Sequence, residues 1–132
     1  VRPNGNNRPY NLNRLELRIC DLVTNPITLL AISALLEARL TQLLANQKLD
    51  PLVLSDLSPK EMITLTQENE RSVAKNSLDA ELKHWKDGTP ILARDWITEL
   101  YEEVFQNAKE KGFSCFLSPV KKILREGNLA QQ

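Results

Sequence analysis

Residues 14–20, which read RLELRIC, constrain the fold more than any other part of this 132-residue chain. Apolar and polar residues alternate strictly in this segment, and successive side chains of an extended strand point to opposite faces. One face is therefore apolar, and the other carries Arg14, Glu16, Arg18 and Cys20. Because a single strand cannot satisfy its own backbone hydrogen bonds, the segment needs other strands beside it.

The charged face of this strand has two interpretations. On a solvated sheet edge, two arginines around a glutamate form an ordinary polar face. Alternatively, Arg14, Glu16 and Arg18 form a site, because a carboxylate is an oxygen ligand for Mg²⁺ and arginine binds phosphate or carboxylate with two parallel hydrogen bonds. Such a site would serve metal-assisted phosphoryl chemistry. The strand alone does not decide between these interpretations.

After the strand, the sequence predicts a long helix that begins at Asn25-Pro26. Asparagine is a good N-cap, and proline suits the first helical turn. Apolar residues recur at helical spacing to about residue 46, so one stripe of the helix is expected to face the core. The stripe consists of Leu29, Ile32, Leu36, Leu40 and Leu43, widened by Leu30, Leu35 and Leu44.

A capping-box pattern marks the start of a second long helix. Ser58 and Glu61 have the required spacing, with proline between them, and the helix is expected to run to about residue 75. The preceding residues 48–57 are expected to form a loop. Residues 77–85 are expected to form a short helix, followed by a turn over residues 87–90, which read DGTP.

Two more helices are expected towards the C-terminus. Asp95 would cap the first, and Gly112 would end it. Ser118 would start the second, which Gly127 would end. The larger aromatic residues are expected to anchor the core, because basic residues do not interleave with them as in a base-stacking platform; they are Trp85, Trp96, Tyr101 and Phe105.

The composition limits the classes of partner. Lys plus Arg and Asp plus Glu number 17 each, so the net charge is zero and no overall field would hold nucleic acid or an anionic membrane. No apolar run approaches the roughly 18 residues of a membrane span. Cys20 and Cys115 are too few for a disulfide scaffold. We therefore expect a cytoplasmic protein without nucleic-acid or membrane partners, while oligomeric state and redox regulation stay undecided.

These elements predict a fold that is mostly α within an α+β enzyme. Residues 1–24 are expected to form a loop and the active-site strand of a larger antiparallel catalytic sheet, and residues 25–132 a C-terminal helical subdomain. The chain offers few other strand candidates, and its first residue is valine rather than methionine. We therefore expect the C-terminal piece of a larger enzyme, with the missing N-terminal part as its partner.

The string R-x-E-x-R-x-x-D-x-x-x-N-P, over residues 14–26, resembles a C-terminal signature of the glutamine synthetase superfamily. The segments NGNNRPYNLNRLELRICDLVTNP and SPVKKILREGNLAQQ, and less specifically NSLDAELKHW, are similar to cyanobacterial-type glutamate–cysteine ligases. The resemblance implies a glutamine synthetase-like sheet and a ligase that depends on ATP and Mg²⁺. Such an enzyme joins cysteine to the γ-carboxylate of glutamate through a γ-glutamyl phosphate, the first step of glutathione synthesis.

The resemblance also implies roles for individual residues. Glu16 matches the family's metal-binding glutamate, and Arg18 matches an arginine that holds phosphate or substrate carboxylate. Arg14 matches the first arginine of the motif and joins Arg18 as a catalytic candidate. Arg2 lies one residue out of register with an upstream phosphate-binding arginine, which makes it a candidate for ATP binding beside Arg18. Because Glu16 cannot fill an octahedral Mg²⁺ shell alone, further ligands are expected outside this chain.

Two alternatives stay open. The first is another carboxylate–amine ligase of the same superfamily, because no residue visible here selects cysteine. The second is a non-catalytic helical interaction domain with residues 1–13 and the strand as a linker, although a linker would not need Leu15, Leu17 and Ile19 in register with three charges. The single histidine, His84, is interpreted as a surface or boundary residue rather than a general base.

Overall fold

The computed structural model describes residues 2–3, 15–16, 23–129 and 131. Its helices are α1 (Pro26–Ala45), α2 (Pro51–Leu54), α3 (Pro59–Asn76), α4 (Ala93–Glu110) and α5 (Ser118–Glu126). Its strands are β1 (Arg2–Pro3), β2 (Leu15–Glu16), β3 (Glu81–Lys83) and β4 (Pro90–Leu92), and 3₁₀ turns occupy Gln47–Leu49, Ser77–Asp79 and Ser114–Leu117. A mostly helical chain with short antiparallel strands confirms the predicted architecture, mostly α within an α+β fold.

The N-terminal caps of α1 and α3 form as the sequence predicts. Asn25 Oδ1 accepts a hydrogen bond of 2.9 Å from the Ile27 amide. At the start of α3, the Glu61 amide donates to Ser58 Oγ at 3.3 Å, and the Ser58 amide donates to Glu61 Oε2 at 2.8 Å. The reciprocal pair satisfies backbone donors that an uncapped first turn would leave without partners.

Two glycines end the C-terminal helices as expected. Gly112 follows α4 with φ of +81°, and Gly127 follows α5 with φ of +88°. This left-handed conformation is open to glycine without the steric penalty that a Cβ atom imposes. The helices therefore end where the sequence pattern places their stops.

The main core lies between α1, α4, α5 and the turn Ser114–Leu117. The buried side chains of α1 are small ones, and they allow the α4 backbone to approach closely. From α4 and the C-terminal elements, Val104 and Leu117 are fully buried. The complete cluster consists of Ala31, Ala34, Ala38, Tyr101, Val104, Ala108, Leu117 and Val120.

The predicted core stripe of α1 is therefore wrong for most of its leucines. Leu29, Leu36 and Leu40 are exposed by 51%, 38% and 41% of their surfaces, and Leu44 by 83%. The helix has two apolar faces, one of alanine and one of leucine, and the core takes the alanine face. Helical periodicity marks both faces as apolar but does not choose between them.

By length and composition, α1 is the one helix among residues 23–129 that could cross a membrane, so the expectation that no apolar stretch approaches the length of a membrane span is wrong by this criterion. A single helix of this kind is weak evidence, because core helices of globular proteins pass the same test. Here its alanine face is packed in the main core. The prediction that the protein has no membrane partner stays a prediction.

Residues 77–85 do not form the predicted short helix. Only Ser77–Asp79 makes a 3₁₀ turn, and β3 then pairs antiparallel with β4, with Leu82 opposite Ile91. The connecting loop is closed by a hydrogen bond of 2.8 Å from the His84 amide to the Thr89 carbonyl. A turn does connect the two strands, but it occupies residues 85–87 rather than the predicted 87–90, because Pro90 already belongs to β4.

Side chains of α3 explain why this segment is extended. The Lys83 amide donates to Asn69 Oδ1 at 2.8 Å, and Asn69 Nδ2 donates to the Lys83 carbonyl at 2.8 Å. Ser72 Oγ donates to the Glu81 carbonyl, also at 2.8 Å. The second edge of β3 thus finds hydrogen-bond partners on a helix instead of a third strand. Such a contact between distant segments overrides the local helical pattern.

Three smaller expectations also fail. Part of the predicted loop over 48–57 is helical, because Asp50 caps α2 by accepting from the Leu52 amide at 2.9 Å. Asp95 does not cap α4, which begins at Ala93 directly after β4. Phe105 is exposed rather than a core anchor. Tyr101, by contrast, is buried, and Trp96 packs against a small second cluster of Ala80, Leu82 and Ala93.

Candidate functional site

The N-terminal strands bring two of the predicted site residues together. β1 and β2 pair antiparallel, with Arg2 opposite Glu16 and Pro3 opposite Leu15. Register partners in an antiparallel ladder have Cα atoms only about 4.5–5.5 Å apart. The candidate for ATP binding, Arg2, therefore lies directly across the ladder from the candidate metal ligand, Glu16. The sequence pattern predicts a loop before the active-site strand and does not indicate β1.

The other two predicted site residues, Arg14 and Arg18, lie outside the described residues, and so does Cys20. Their assignments therefore stay predictions. Asp21 of the motif also lies outside the described residues, whereas Asn25 caps α1 as predicted. The observed part of the motif is thus its strand backbone at Glu16 and its helix start at Asn25-Pro26.

The described part of the chain contains one of the residues proposed as a Mg²⁺ ligand, Glu16. Glu16 has the right chemistry, because Mg²⁺ prefers carboxylate and phosphate oxygens in an octahedral shell. No group of three or more His, Cys, Asp or Glu that could hold a metal occurs among the residues that the structure describes. A complete site would therefore need ligands from substrate phosphates and from other carboxylates.

A groove of about 660 Å³ lies between the β3–β4 hairpin and α4. Its charged lining is acidic, with Glu81 from β3 and Asp95 and Glu99 from α4, and His84 stands at its edge. The carboxylates at 95 and 99 share a helix face because they are four residues apart. Sequence reasoning missed this groove because it interpreted residues 77–85 as a helix. Its charge disfavours a phosphate ligand, so it is not a candidate for ATP.

The hairpin loop beside this groove is held by Asp87. Asp87 Oδ1 accepts hydrogen bonds from the Thr89 amide at 3.0 Å and from Thr89 Oγ1 at 2.7 Å. These bonds lower the pKa of Asp87 below its ordinary value by stabilising the charged form, and the bond from the Thr89 backbone amide has the larger effect. The residue is ionised at neutral pH and has a structural role in the turn.

His84 is confirmed as a boundary residue. Its ring is half-buried and contacts the rings of Trp96 and Trp85, with centroid distances of 5.1 and 5.5 Å. Its Nδ1 accepts a hydrogen bond of 3.3 Å from the Lys86 amide. These contacts explain the histidine as part of the hairpin's packing. Cys115 is a free, exposed thiol far along the chain, after α4.

A smaller concavity of about 240 Å³ lies on the other side of His84, between α1, α4 and the hairpin loop. Arg39 borders it and forms an ion pair of 2.8 Å with Glu103, so its guanidinium is already engaged. Trp85 and Trp96 form its apolar wall. Neither described concavity is lined by a predicted site residue.

Comparison with known proteins places the chain in a family context. The family model described as glutamate-cysteine ligase family 2 (GCS2) matches residues 1–132. No curated protein and no solved structure matches the chain. The family match covers the N-terminal strands and every helix, so it includes both the predicted site and the helical core.

Proposed function

The chain belongs to glutamate-cysteine ligase family 2, and from that premise we propose that it contributes to an ATP-dependent glutamate–cysteine ligase. The single observation that carries this proposal is the family match over residues 1–132. The proposed product is γ-glutamylcysteine, the precursor of glutathione. We propose that the enzyme acts in the cytoplasm on glutamate, cysteine and ATP, and that the rest of its catalytic sheet is the partner of this chain.

The proposed reaction has two steps. The γ-carboxylate of glutamate attacks the γ-phosphorus of ATP, which releases ADP and forms a γ-glutamyl phosphate. The amine of cysteine then attacks the acyl carbon, and phosphate leaves as the amine loses a proton. Both steps put negative charge on phosphoryl oxygens, so catalysis depends on positioning and on cationic groups.

The charged face of the strand suits this chemistry. Glu16 would be a ligand of Mg²⁺, and a bound Mg²⁺ ion would neutralise phosphate charge and orient the polyphosphate. Arg18 would hold a phosphate or the substrate carboxylate with its planar guanidinium, and Arg14 would add a second cation on the same face. The register of Arg2 opposite Glu16 supports the further proposal that Arg2 binds a phosphate of ATP.

The choice of cysteine as the acceptor rests on the family. Another carboxylate–amine ligase would need the same metal, phosphate and carboxylate contacts, so the charged strand face does not separate the two. The amine substrate is therefore the first quantity to measure.

The test uses the full-length protein with ATP, Mg²⁺ and glutamate, and compares cysteine with alanine, glycine and 2-aminobutyrate as acceptors. We expect ADP release to match γ-glutamylcysteine formation one to one, with cysteine preferred. Preference for another amine would establish the alternative ligase. No ATP hydrolysis with any amine would favour a non-catalytic helical domain.

A further inference from the structure

Ser77 is the one residue other than glycine with a positive φ angle in the described part of the chain. Its φ of +54° and ψ of −127° are unfavourable for a side chain with a Cβ atom, and such a conformation persists only where surrounding contacts hold it. Ser77 ends α3, with its amide donating to the Val73 carbonyl, and it begins the turn Ser77–Asp79 that leads into β3. The junction between α3 and β3 therefore depends on contacts from outside it.

Two amide side chains from residues after α5 supply these contacts. Asn128 Nδ2 donates to Ser77 Oγ, across 51 positions of sequence. Gln131 Nε2 donates to Asp79 Oδ2 at 3.0 Å, across 52 positions. The same two residues brace each other, because the Asn128 amide donates to Gln131 Oε1 at 3.2 Å and the Gln131 amide donates to Asn128 Oδ1 at 3.1 Å. One braced segment thus holds both ends of the turn.

Gly127 directs the chain back towards this turn. Its φ of +88° is one that glycine adopts without penalty, and a Cβ atom there would lie 3.2 Å from Gln131 Cβ. We call Gly127, Asn128 and Gln131 the latch. The latch joins the segment SPVKKILREGNLAQQ to the segment NSLDAELKHW, two stretches to which the sequence pattern assigns no role.

Arg94 of α4 also holds this turn. Its Nη2 donates to Asp79 Oδ1 at 2.5 Å, and its Nη1 donates to the Leu124 carbonyl, in the last turn of α5, at 2.8 Å. A cation at the C-terminal end of a helix is also favoured by the helix dipole. One carboxylate oxygen of Asp79 therefore binds α4, and the other binds the latch.

We propose that the latch is a conformational device that keeps Ser77 in its unfavourable conformation and thereby fixes β3 against α4. The start of β3 depends directly on this junction. The Ala80 amide donates to the Ser77 carbonyl at 3.2 Å, and the Ala80 carbonyl accepts from the Ala93 amide, at the start of α4, at 2.9 Å. Without the latch, Ser77 relaxes to a favourable conformation and these hydrogen bonds open.

The charges of the acidic groove oppose the latch. The groove is lined by Glu81 on β3 and by Asp95 and Glu99 on α4, and none of the three forms an ion pair within the described residues. Like charges that share one concave surface repel each other. Repulsion therefore favours separation of β3 from α4, whereas the latch favours the closed arrangement. The residues after α5 thus set the position of the groove wall that β3 forms.

Hydrogen exchange of the full-length protein, followed by mass spectrometry without substrates, tests the latch independently of ligase activity. The test variant is Asn128→Ala/Gln131→Ala, which removes both contacts to the turn. The matched control is Asn76→Ala, because Asn76 is exposed directly before Ser77 and its side chain makes no capping hydrogen bond.

The expected result is local. The amides of Ala80 and Ala93 should exchange at least about tenfold faster in the test variant than in the control, because loss of the latch opens the junction without unfolding the main core. Exchange in α1 should be unchanged. Unchanged exchange at Ala80 and Ala93 would overturn the inference. Equal acceleration in α1 would also overturn it, because the latch would then stabilise the whole chain rather than this junction.

Two substitutions of Ser77 separate its hydrogen bond from its backbone conformation, and they leave the latch residues in place if the first variant fails to fold. Ser77→Ala and Ser77→Gly both lose the bond to Asn128, but only glycine adopts the observed φ without penalty. We expect exchange at Ala80 to be about tenfold faster in Ser77→Ala and to stay at the wild-type rate in Ser77→Gly. Equal acceleration in both variants, or acceleration in neither, would overturn the inference.

Discussion

At the residue scale, Glu16→Gln separates charge from shape. Glutamine keeps the size of glutamate but removes the charge that would bind Mg²⁺. We predict a loss of kcat of about 10²–10³-fold, which is typical when one electrostatic contact to the transition state is removed. The Mg²⁺ concentration for half-maximal rate should also rise. The measurement is steady-state kinetics across a Mg²⁺ titration, with thermal unfolding to show that the fold survives.

The structure supplies a suitable control for this variant. Glu103 is a poor choice, because its carboxylate pairs with Arg39 of α1 at 2.8 Å. Glu102, the neighbouring exposed residue on α4, has the same side chain without such a contact in the described structure. Glu102→Gln should therefore leave the rate unchanged. A folded Glu16→Gln enzyme with the turnover of Glu102→Gln would remove Glu16 from the site.

Arg18→Lys tests geometry at constant charge. Lysine keeps the positive charge but cannot form two parallel hydrogen bonds to phosphate or carboxylate. We predict a loss of kcat of at least about 100-fold with little change in unfolding temperature. Substrate titrations should show whether KM for ATP or for glutamate rises, which identifies the oxyanion that Arg18 binds. If the Arg18→Lys enzyme kept normal kcat and KM, the arginine would not be a specific ligand.

At the element scale, the sequence predicts what depends on near neighbours. The capping box at Ser58 and the stop at Gly112 involve residues within one helical turn, and both form as expected. The hairpin at β3–β4 depends instead on Asn69, which is far from it in sequence but bonds both backbone groups of Lys83. The burial of alanine rather than leucine on α1 likewise depends on α4. Local patterns cannot contain such information.

Ser58→Ala should destabilise α3 by about 1 kcal/mol, the usual effect of losing a serine N-cap. Two hydrogen bonds from Ser58 lower the pKa of Glu61, and the bond from the Ser58 side chain has a larger effect than the bond from its backbone amide. A lowered folded-state pKa contributes stability above the unfolded pKa, and this contribution disappears as pH falls through the folded value. The difference in the free energy of unfolding between wild type and Ser58→Ala should therefore shrink as the pH falls below about 4.5, the ordinary pKa of Glu61. Urea denaturation at neutral and acid pH measures this, and a difference that grew with acid would contradict it.

Asn69→Ala tests the contact that holds the hairpin against α3. The variant loses both hydrogen bonds to Lys83, so we predict destabilisation of about 1–3 kcal/mol at roughly 0.5–1.5 kcal/mol per bond. The amide of Lys83 should also exchange hydrogen faster. Gln67→Ala, two residues earlier on the exposed side of α3, is the matched control and should be nearly neutral. Equal stability of the two variants would mean that β4 alone holds β3 extended.

At the scale of the whole molecule, the sequence predicts some parts of the candidate site and not others. The charged face of residues 14–20 is explicit in the alternation RLELRIC, and the family match includes it. The partner strand at Arg2–Pro3 was not predicted, because two residues carry no periodicity. The acidic groove was missed because it forms only when the β3–β4 hairpin brings Glu81 close to Glu99 of α4. A site assembled from several segments is specified by pairing between them, which a single-sequence pattern does not reveal.

The number of available Mg²⁺ ligands determines what the 132-residue chain can catalyse alone. A Mg²⁺ ion that carries ATP needs several oxygen ligands. Glu16 is the one carboxylate proposed here for that role, and the described residues contain no cluster of metal-binding side chains to complete the shell. We therefore expect the isolated chain to form no γ-glutamylcysteine under conditions in which the full-length protein does. Mass spectrometry of the product measures this, with circular dichroism to confirm that the isolated chain is helical. If it formed product at a comparable rate, the metal ligands would have to lie within residues 1–132, and carboxylates such as Glu81, Asp95 and Glu99 would become the first candidates.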